Sequence, residues 1–169
     1  VPVDVQTNLT YSTAIVAGRM VMETNRYYTR TAVQGAASTF WLWDAAARRV
    51  IAALGSGNPS WFFEFTADSQ QLLLNHGEYS VQSFNARTGQ ALRVFKGHSA
   101  ILNGALYFPD SKRLLTASVD QTAKLWDTET GRELLSLPHT AQITTIAVSP
   151  DGKRLLTGAG DGTTILWSA

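Results

Sequence analysis

The sequence predicts an all-β chain made of four copies of one four-stranded antiparallel unit, and three observations lead there. An aromatic residue recurs at Trp43, Phe84, Trp126 and Trp167, at intervals of 41, 42 and 41 residues, so the period fills the 169-residue chain. The runs between these aromatics are short and rich in Leu, Ile, Val and Thr, a composition that favours strands over helices. Turn wording recurs in phase: FPDSKRLL from Phe108 to Leu115 and SPDGKRLL from Ser149 to Leu156. A fixed period of this length marks one supersecondary unit copied along the chain, no copy of which can bury its apolar face alone.

The elements follow in order. The copies run roughly over 13–53, 54–95, 96–137 and 138–169, with a strand at 1–12, and residues 1–169 read as a single unit. In copies three and four an apolar run leads into a Pro-Asp-Ser/Gly turn, where proline presets its own backbone angle and Asp bonds nearby amides. A second apolar run, a polar turn and a third run then end at the Trp, as TASVDQTAKLWD (Thr116 to Asp127) and TGAGDGTTILWS (Thr157 to Ser168) show. The turns Arg87-Thr88-Gly89-Gln90 and Glu129-Thr130-Gly131-Arg132 lead to a fourth run, Ala91 to Phe95 and Glu133 to Leu137. Copy two fits through Trp61 to Thr66, the Ala67-Asp68-Ser69 turn, Gln71 to Leu74 and Val81 to Phe84. Copy one keeps Thr39 to Asp44, but Asn25 to Tyr28 replaces the Pro-Asp turn. Copy four stops after its third strand, while the segment around Asn8 to Ser12 has the phase of a fourth strand. The last sheet is therefore expected to be completed by that N-terminal strand or by another chain.

Composition narrows the chemistry. Basic and acidic residues number 14 and 13, too balanced for a nucleic-acid or anionic-membrane surface, so neither partner is expected. Without cysteine there are no disulfides, thiolate metal sites or cysteine nucleophiles. No apolar run approaches the roughly 20 residues of a membrane span, and the residues from Val1 onward lack a signal-peptide pattern. Gly158, Gly160 and Gly162 alternate in a tight turn with no helix after them, unlike a phosphate-cradling loop. No cofactor or metal is expected. His76 and Glu78 share a turn, but a stable metal site wants three or four ligands.

Gly97-His98 stands 28 residues before Trp126-Asp127 (98 to 126), and Pro138-His139 stands as far before Trp167-Ser168. With the period, these residues resemble the WD-repeat family of β-propellers, most closely over Gly97 to Trp167, less over Trp61 to Phe95, and over the first 44 residues only through Trp43-Asp44 and the phase. Pro138 and Ser168 depart from that family's Gly and Asp. The resemblance implies a propeller of four-stranded blades, four per chain, acting as a non-catalytic scaffold that binds a protein or peptide on one rim. It also implies which residues line that rim: Met20, Trp61, Asn103 and Thr144, the positions two earlier (Gly18, Pro59, Ile101, Gln142), and Val119 or Gly160.

Copies three and four each carry a polar quartet at matching offsets: His98, Thr116, Asp120 and Trp126, then His139, Thr157, Asp161 and Trp167. An indole N–H only donates, a carboxylate only accepts, and hydroxyl and imidazole do both, so a chain of bonds can run from Trp through Thr and His to Asp. In the family resembled, this network pins an outer turn to the third strand. The competing reading of the quartet is hydrolysis, since hydroxyl, imidazole and carboxylate are the parts of a nucleophilic triad; the alternative function for the chain is a hydrolase or lyase with a central-channel site, in which His76 or Glu78 would carry turnover. Duplication in phase favours a structural device. Copy one has Ile15, Val33 and Ala37 at the same offsets, and copy two has Ser56, Leu74 and Glu78. Asp68, Asp110, Asp120, Asp151 and Asp161 all fall in turns, leaving a glycosidase pair to other acids.

Ring size bears on assembly. Four sheets closing alone stand about 90° apart, whereas eight sheets from two chains stand about 45° apart, nearer the common propeller range. A homodimer forming one eight-bladed ring, or an excised piece of a longer propeller, is expected ahead of a small closed ring.

Overall fold

Short apolar runs punctuated by Asp, Gly and Thr turns fold as short strands joined by tight hairpins. The computed structural model describes residues 12–16, 19–23, 38–44, 47–57, 63–77 and 79–168. Among them fifteen strands form four sheets. The chain divides into two compact units, Val1–Pro59 and Ser60–Ala169.

The first unit holds β1 (Ser12–Val16), β2 (Arg19–Glu23), β3 (Ser38–Asp44) and β4 (Arg49–Gly57), in the order β2-β1-β3-β4. Here one pairing departs from the expected unit: β1 runs parallel to β3, with Ala14 opposite Trp41 and Ile15 opposite Leu42. Copy one lacks the Asp-Ser/Gly turn that joins first and second strands in the other three copies. Instead β1 and β2 pair directly, Val16 opposite Arg19, and β1 takes the place beside the third strand. Ser12 thus belongs to β1 in the first sheet, while the rest of the expected N-terminal strand, 1–11, lies outside the described residues.

The second unit follows the template. Its first sheet is β5 (Phe63–Phe65), β6 (Gln71–His76), β7 (Ser80–Asn85) and β8 (Ala91–Lys96), in sequential order. Next come β9 (Leu102–Tyr107), β10 (Arg113–Ser118), β11 (Thr122–Asp127) and β12 (Glu133–Pro138), again sequential and antiparallel. The last sheet has three strands, β13 (Ile143–Val148), β14 (Arg154–Ala159) and β15 (Thr164–Ser168). In three copies the ladder between third and fourth strands slips just before the aromatic, at Leu42/Trp43, Ser83/Phe84 and Leu125/Trp126. Such a bulge bends the outer strand and raises its twist.

Within the second unit, successive sheets pack face to face. Leu73, Val81 and Phe95 pack on Leu102, Ala105, Tyr107, Leu114 and Trp126 of the following sheet. Phe108, Leu115, Ala117, Ala123, Leu125 and Leu137 then pack on Ile143 and Leu155, with Ile146, Val148 and Trp167 at the margin. Gly104 faces this second contact, where a Cβ would meet Ile146 Cγ1 at an ordinary 3.6 Å. The middle strand β10 is buried on both faces because a sheet lies on either side of it. Leu115→Ala, at the centre of the second contact, is expected to cost about 2–5 kcal/mol, read from urea unfolding.

Candidate functional site

In copy three the quartet forms one continuous chain of bonds. The Trp126 indole N–H donates to Thr116 Oγ1 at 2.8 Å, Thr116 Oγ1 lies 2.7 Å from His98 Nε2, and His98 Nδ1 lies 2.8 Å from Asp120 Oδ2. The donor and acceptor roles are consistent when Nδ1 carries the imidazole proton: indole to hydroxyl, hydroxyl to Nε2, Nδ1–H to carboxylate. Asp120 also accepts from the Ser99 N–H and from the N–H and hydroxyl of Thr122. The elements set this geometry, because Thr116 sits on β10, Trp126 on β11, and His98 and Asp120 on the two turns beyond them. Gly97 has a steric reason to be glycine, since a Cβ there would stand 3.0 Å from the Trp126 ring.

The electrostatics match a buried, neutral link. Burial pushes the His98 imidazole below its usual value, against the opposing pull of Asp120. Burial works the other way on Asp120, but hydrogen bonds from Thr122, Ser99 and His98 outweigh it and bring the carboxyl down to about 2. At neutral pH the carboxylate is charged and the imidazole is not.

Copy four is only partly alike. Trp167 donates to Thr157 Oγ1 at 2.8 Å, and His139 Nε2 lies 2.7 Å from that hydroxyl. The last link differs: Asp161 Oδ2 accepts from the Thr140 hydroxyl at 2.6 Å, and His139 Nδ1 is buried without a hydrogen-bond partner among the described residues. Thr140 stands in the phase of Ser99 and reaches the oxygen that His98 uses in copy three. The Thr140 and Thr163 hydroxyls hold the exposed Asp161 carboxyl at about 2. In the two earlier copies Leu74 is buried on β6, Ile15 and Ser56 lie in β1 and β4, and Val33, Ala37 and Glu78 lie outside the described residues.

The other carboxylates are committed to their own turns. Asp68, Asp110, Asp120, Asp151 and Asp161 each accept the backbone N–H two residues on, at 2.9 to 3.1 Å. In the first three copies the residue after the aromatic caps the following turn: Asp44 accepts from the Ala47 N–H, Asn85 from Thr88, and Asp127 from Thr130. His76 is exposed at the end of β6, and among the described residues no three His, Asp or Glu gather in a metal-binding group.

The structure brings part of the expected rim together. The Val119 N–H donates to the Ile101 carbonyl at 2.9 Å, setting these exposed apolar residues side by side, and Gly160 bonds Gln142 in the same way one copy later. Asn103 joins the copies by donating to the Ile143 carbonyl at 2.8 Å, between Gln142 and the exposed Thr144. Met20 lies in β2 of the first unit, while Gly18, Pro59 and Trp61 lie outside the described residues. Ser118 was not singled out by sequence, yet its hydroxyl donates toward the carbonyls of Ala100 and Ile101 and so steadies the rim turn. Its counterpart in copy four is Ala159, so no repeated signal marks it. Thr122 and Thr163 were also missed, although a Thr two residues after the quartet Asp recurs in both copies.

The unequal quartets yield a comparison. Thr116→Val leaves a buried indole N–H and imidazole nitrogen unpaired and is expected to cost about 2–3 kcal/mol. Thr157→Val, in a network already missing one link, is expected to cost about half as much in the same urea titration.

The WD40 family, described as "WD domain, G-beta repeat", matches residues 89–127 and 131–168. The Arabidopsis thaliana guanine nucleotide-binding protein subunit beta is 31% identical over 102 residues, 57% of this chain and 25% of that protein. Its counterpart from Oryza sativa subsp. indica is 30% identical over 117 residues, 63% of this chain and 30% of the relative. The human serine-threonine kinase receptor-associated protein is 38% identical over 59 residues, 35% of this chain and 17% of that protein. The matched segments thus span less than a third of these relatives' lengths. Taken with the stacked sheets and the Trp-Thr-His bonds in both matched segments, these likenesses identify two WD repeats in this chain, at 89–127 and 131–168.

Proposed function

We propose that the chain is a non-catalytic interaction scaffold whose stacked sheets present one rim to a peptide or protein. Ile101, Asn103, Val119, Gln142 and Thr144 form the described part of that rim, with Met20 and Trp61 assigned to it by phase. The observation that carries the reading is Ile101: an aliphatic side chain 54% exposed, beside exposed Val119, on a turn held rigid by Ser118. Rigid apolar anchors of this kind supply most of the energy of a protein contact. The rim residues named are uncharged, so the partner is expected to offer an apolar side chain, with an affinity little changed by salt. Two relatives support the class through their names, one being a subunit and the other receptor-associated.

The proposal extends to self-association. A homodimer forming one eight-bladed ring would set its sheets about 45° apart, nearer the common propeller range than four sheets closing alone.

Panning a displayed peptide library on the immobilised chain tests the rim. Binders with an aliphatic or aromatic anchor are expected, weakened about tenfold or more on Ile101→Asp, a loss of about 1.4 kcal/mol. Binders held equally well by that variant would place the binding surface elsewhere.

A further inference from the structure

The fastening of copy four uses the residue types of copy three, yet one of its bonds is exchanged for another. In copy three Asp120 Oδ2 accepts from His98 Nδ1–H and from the Ser99 N–H. In copy four the Thr140 hydroxyl takes Asp161 Oδ2 at 2.6 Å, and His139 Nδ1 is buried without a hydrogen-bond partner among the described residues. The remaining bonds agree. Oδ1 of each Asp accepts the N–H and hydroxyl of the Thr two residues on, and each His Nε2 lies 2.7 Å from the hydroxyl that the indole also reaches. A buried nitrogen is thus left unpaired while an exposed hydroxyl occupies the acceptor that serves its counterpart.

The turn that carries Asp161 is also built to move. Asp120 stands between Val119 and Gln121, and its own N–H is held by the Ser118 hydroxyl. Asp161 stands between Gly160 and Gly162, the latter at a φ of +87°, and Ala159 in the phase of Ser118 offers no hydroxyl. Glycine on both sides leaves the backbone free to re-aim the carboxylate. Releasing Thr140 costs little, because the residue is exposed and water replaces the bond. Pairing His139 Nδ1–H with Asp161 gives a charged acceptor to a nitrogen that has none. The alternative arrangement therefore lies close in free energy to the one observed.

The same two turns carry part of the rim. The Gly160 N–H donates to the Gln142 carbonyl at 2.9 Å; Thr140 lies two residues before Gln142, and Asp161 directly follows Gly160. Bringing Asp161 to His139 moves this pair, whereas Ile101 and Val119 stand on turns whose His–Asp link is already made.

We propose that Thr140 is a stop that holds the copy-four fastening open, and that its release lets Asp161 close on His139 and resets the Gln142–Gly160 side of the rim. The device goes beyond the rim reading and needs no partner to be observed.

NMR of chain labelled with nitrogen-15 tests it on the wild type, Thr140→Ala and Thr140→Ser. In Thr140→Ala a protected His139 Nδ1 proton is expected to appear beside that of His98. The Trp167 indole N–H should exchange at least about tenfold more slowly than in the wild type. Amide signals of Gln142 and Gly160 should shift while those of Ile101 and Val119 stay. Thr140→Ser retains a hydroxyl and should retain the wild-type pattern; Thr140→Val decides if Thr140→Ala does not fold. A Thr140 that merely braces its turn predicts the opposite, faster exchange at Trp167. Exchange unchanged or faster, no protected His139 proton, or closure in Thr140→Ser overturns the stop. Closure that leaves the Gln142 and Gly160 signals in place overturns its coupling to the rim.

Discussion

A four-stranded sheet with apolar residues on both faces cannot rest with one of them in water, and the second unit of this chain is a consequence of that constraint. Strand β10 shows it most plainly, with Leu114 turned to the preceding sheet and Leu115 to the following one, both fully buried. Each sheet is thus stabilised by its neighbours more than by itself, as in repeat proteins generally. Stacking supplies a rigid frame, and the turns at the strand ends, freed from packing, present the rim.

The quartets act on that frame as fastenings. A buried indole N–H needs an acceptor, and Thr116 provides one from the adjacent strand while passing the bond on to His98 and Asp120. The result ties two turns to the middle of the sheet without placing a charge at its centre. Copy four keeps the indole-to-hydroxyl bond but diverts Asp161 to Thr140. The two networks share residues and differ in connectivity.

Much of this was legible in the sequence. The period located the aromatics, the Pro-Asp-Ser/Gly wording located the hairpins, and matching offsets located the quartet members, because each depends on local chemistry repeated in register. Apart from the Thr122 and Thr163 hydroxyls, what was not legible lacked repetition. The parallel pairing of β1 and β3 belongs to the one copy without the common turn. The loss of the His139–Asp161 link goes with a change of donor, the Ser99 N–H on Asp120 in copy three and the Thr140 hydroxyl on Asp161 in copy four, which the two hydroxyl residue types do not reveal.

The claim beneath all of this is that stacked sheets seal the copy-three fastening from water. Solvent exchange of the indole N–H protons, followed by NMR on chain labelled at tryptophan, measures that seal directly. The Trp126 proton should exchange far more slowly than that of Trp41, whose side chain is exposed. Equal exchange at Trp126 and Trp41 under native conditions would contradict the account.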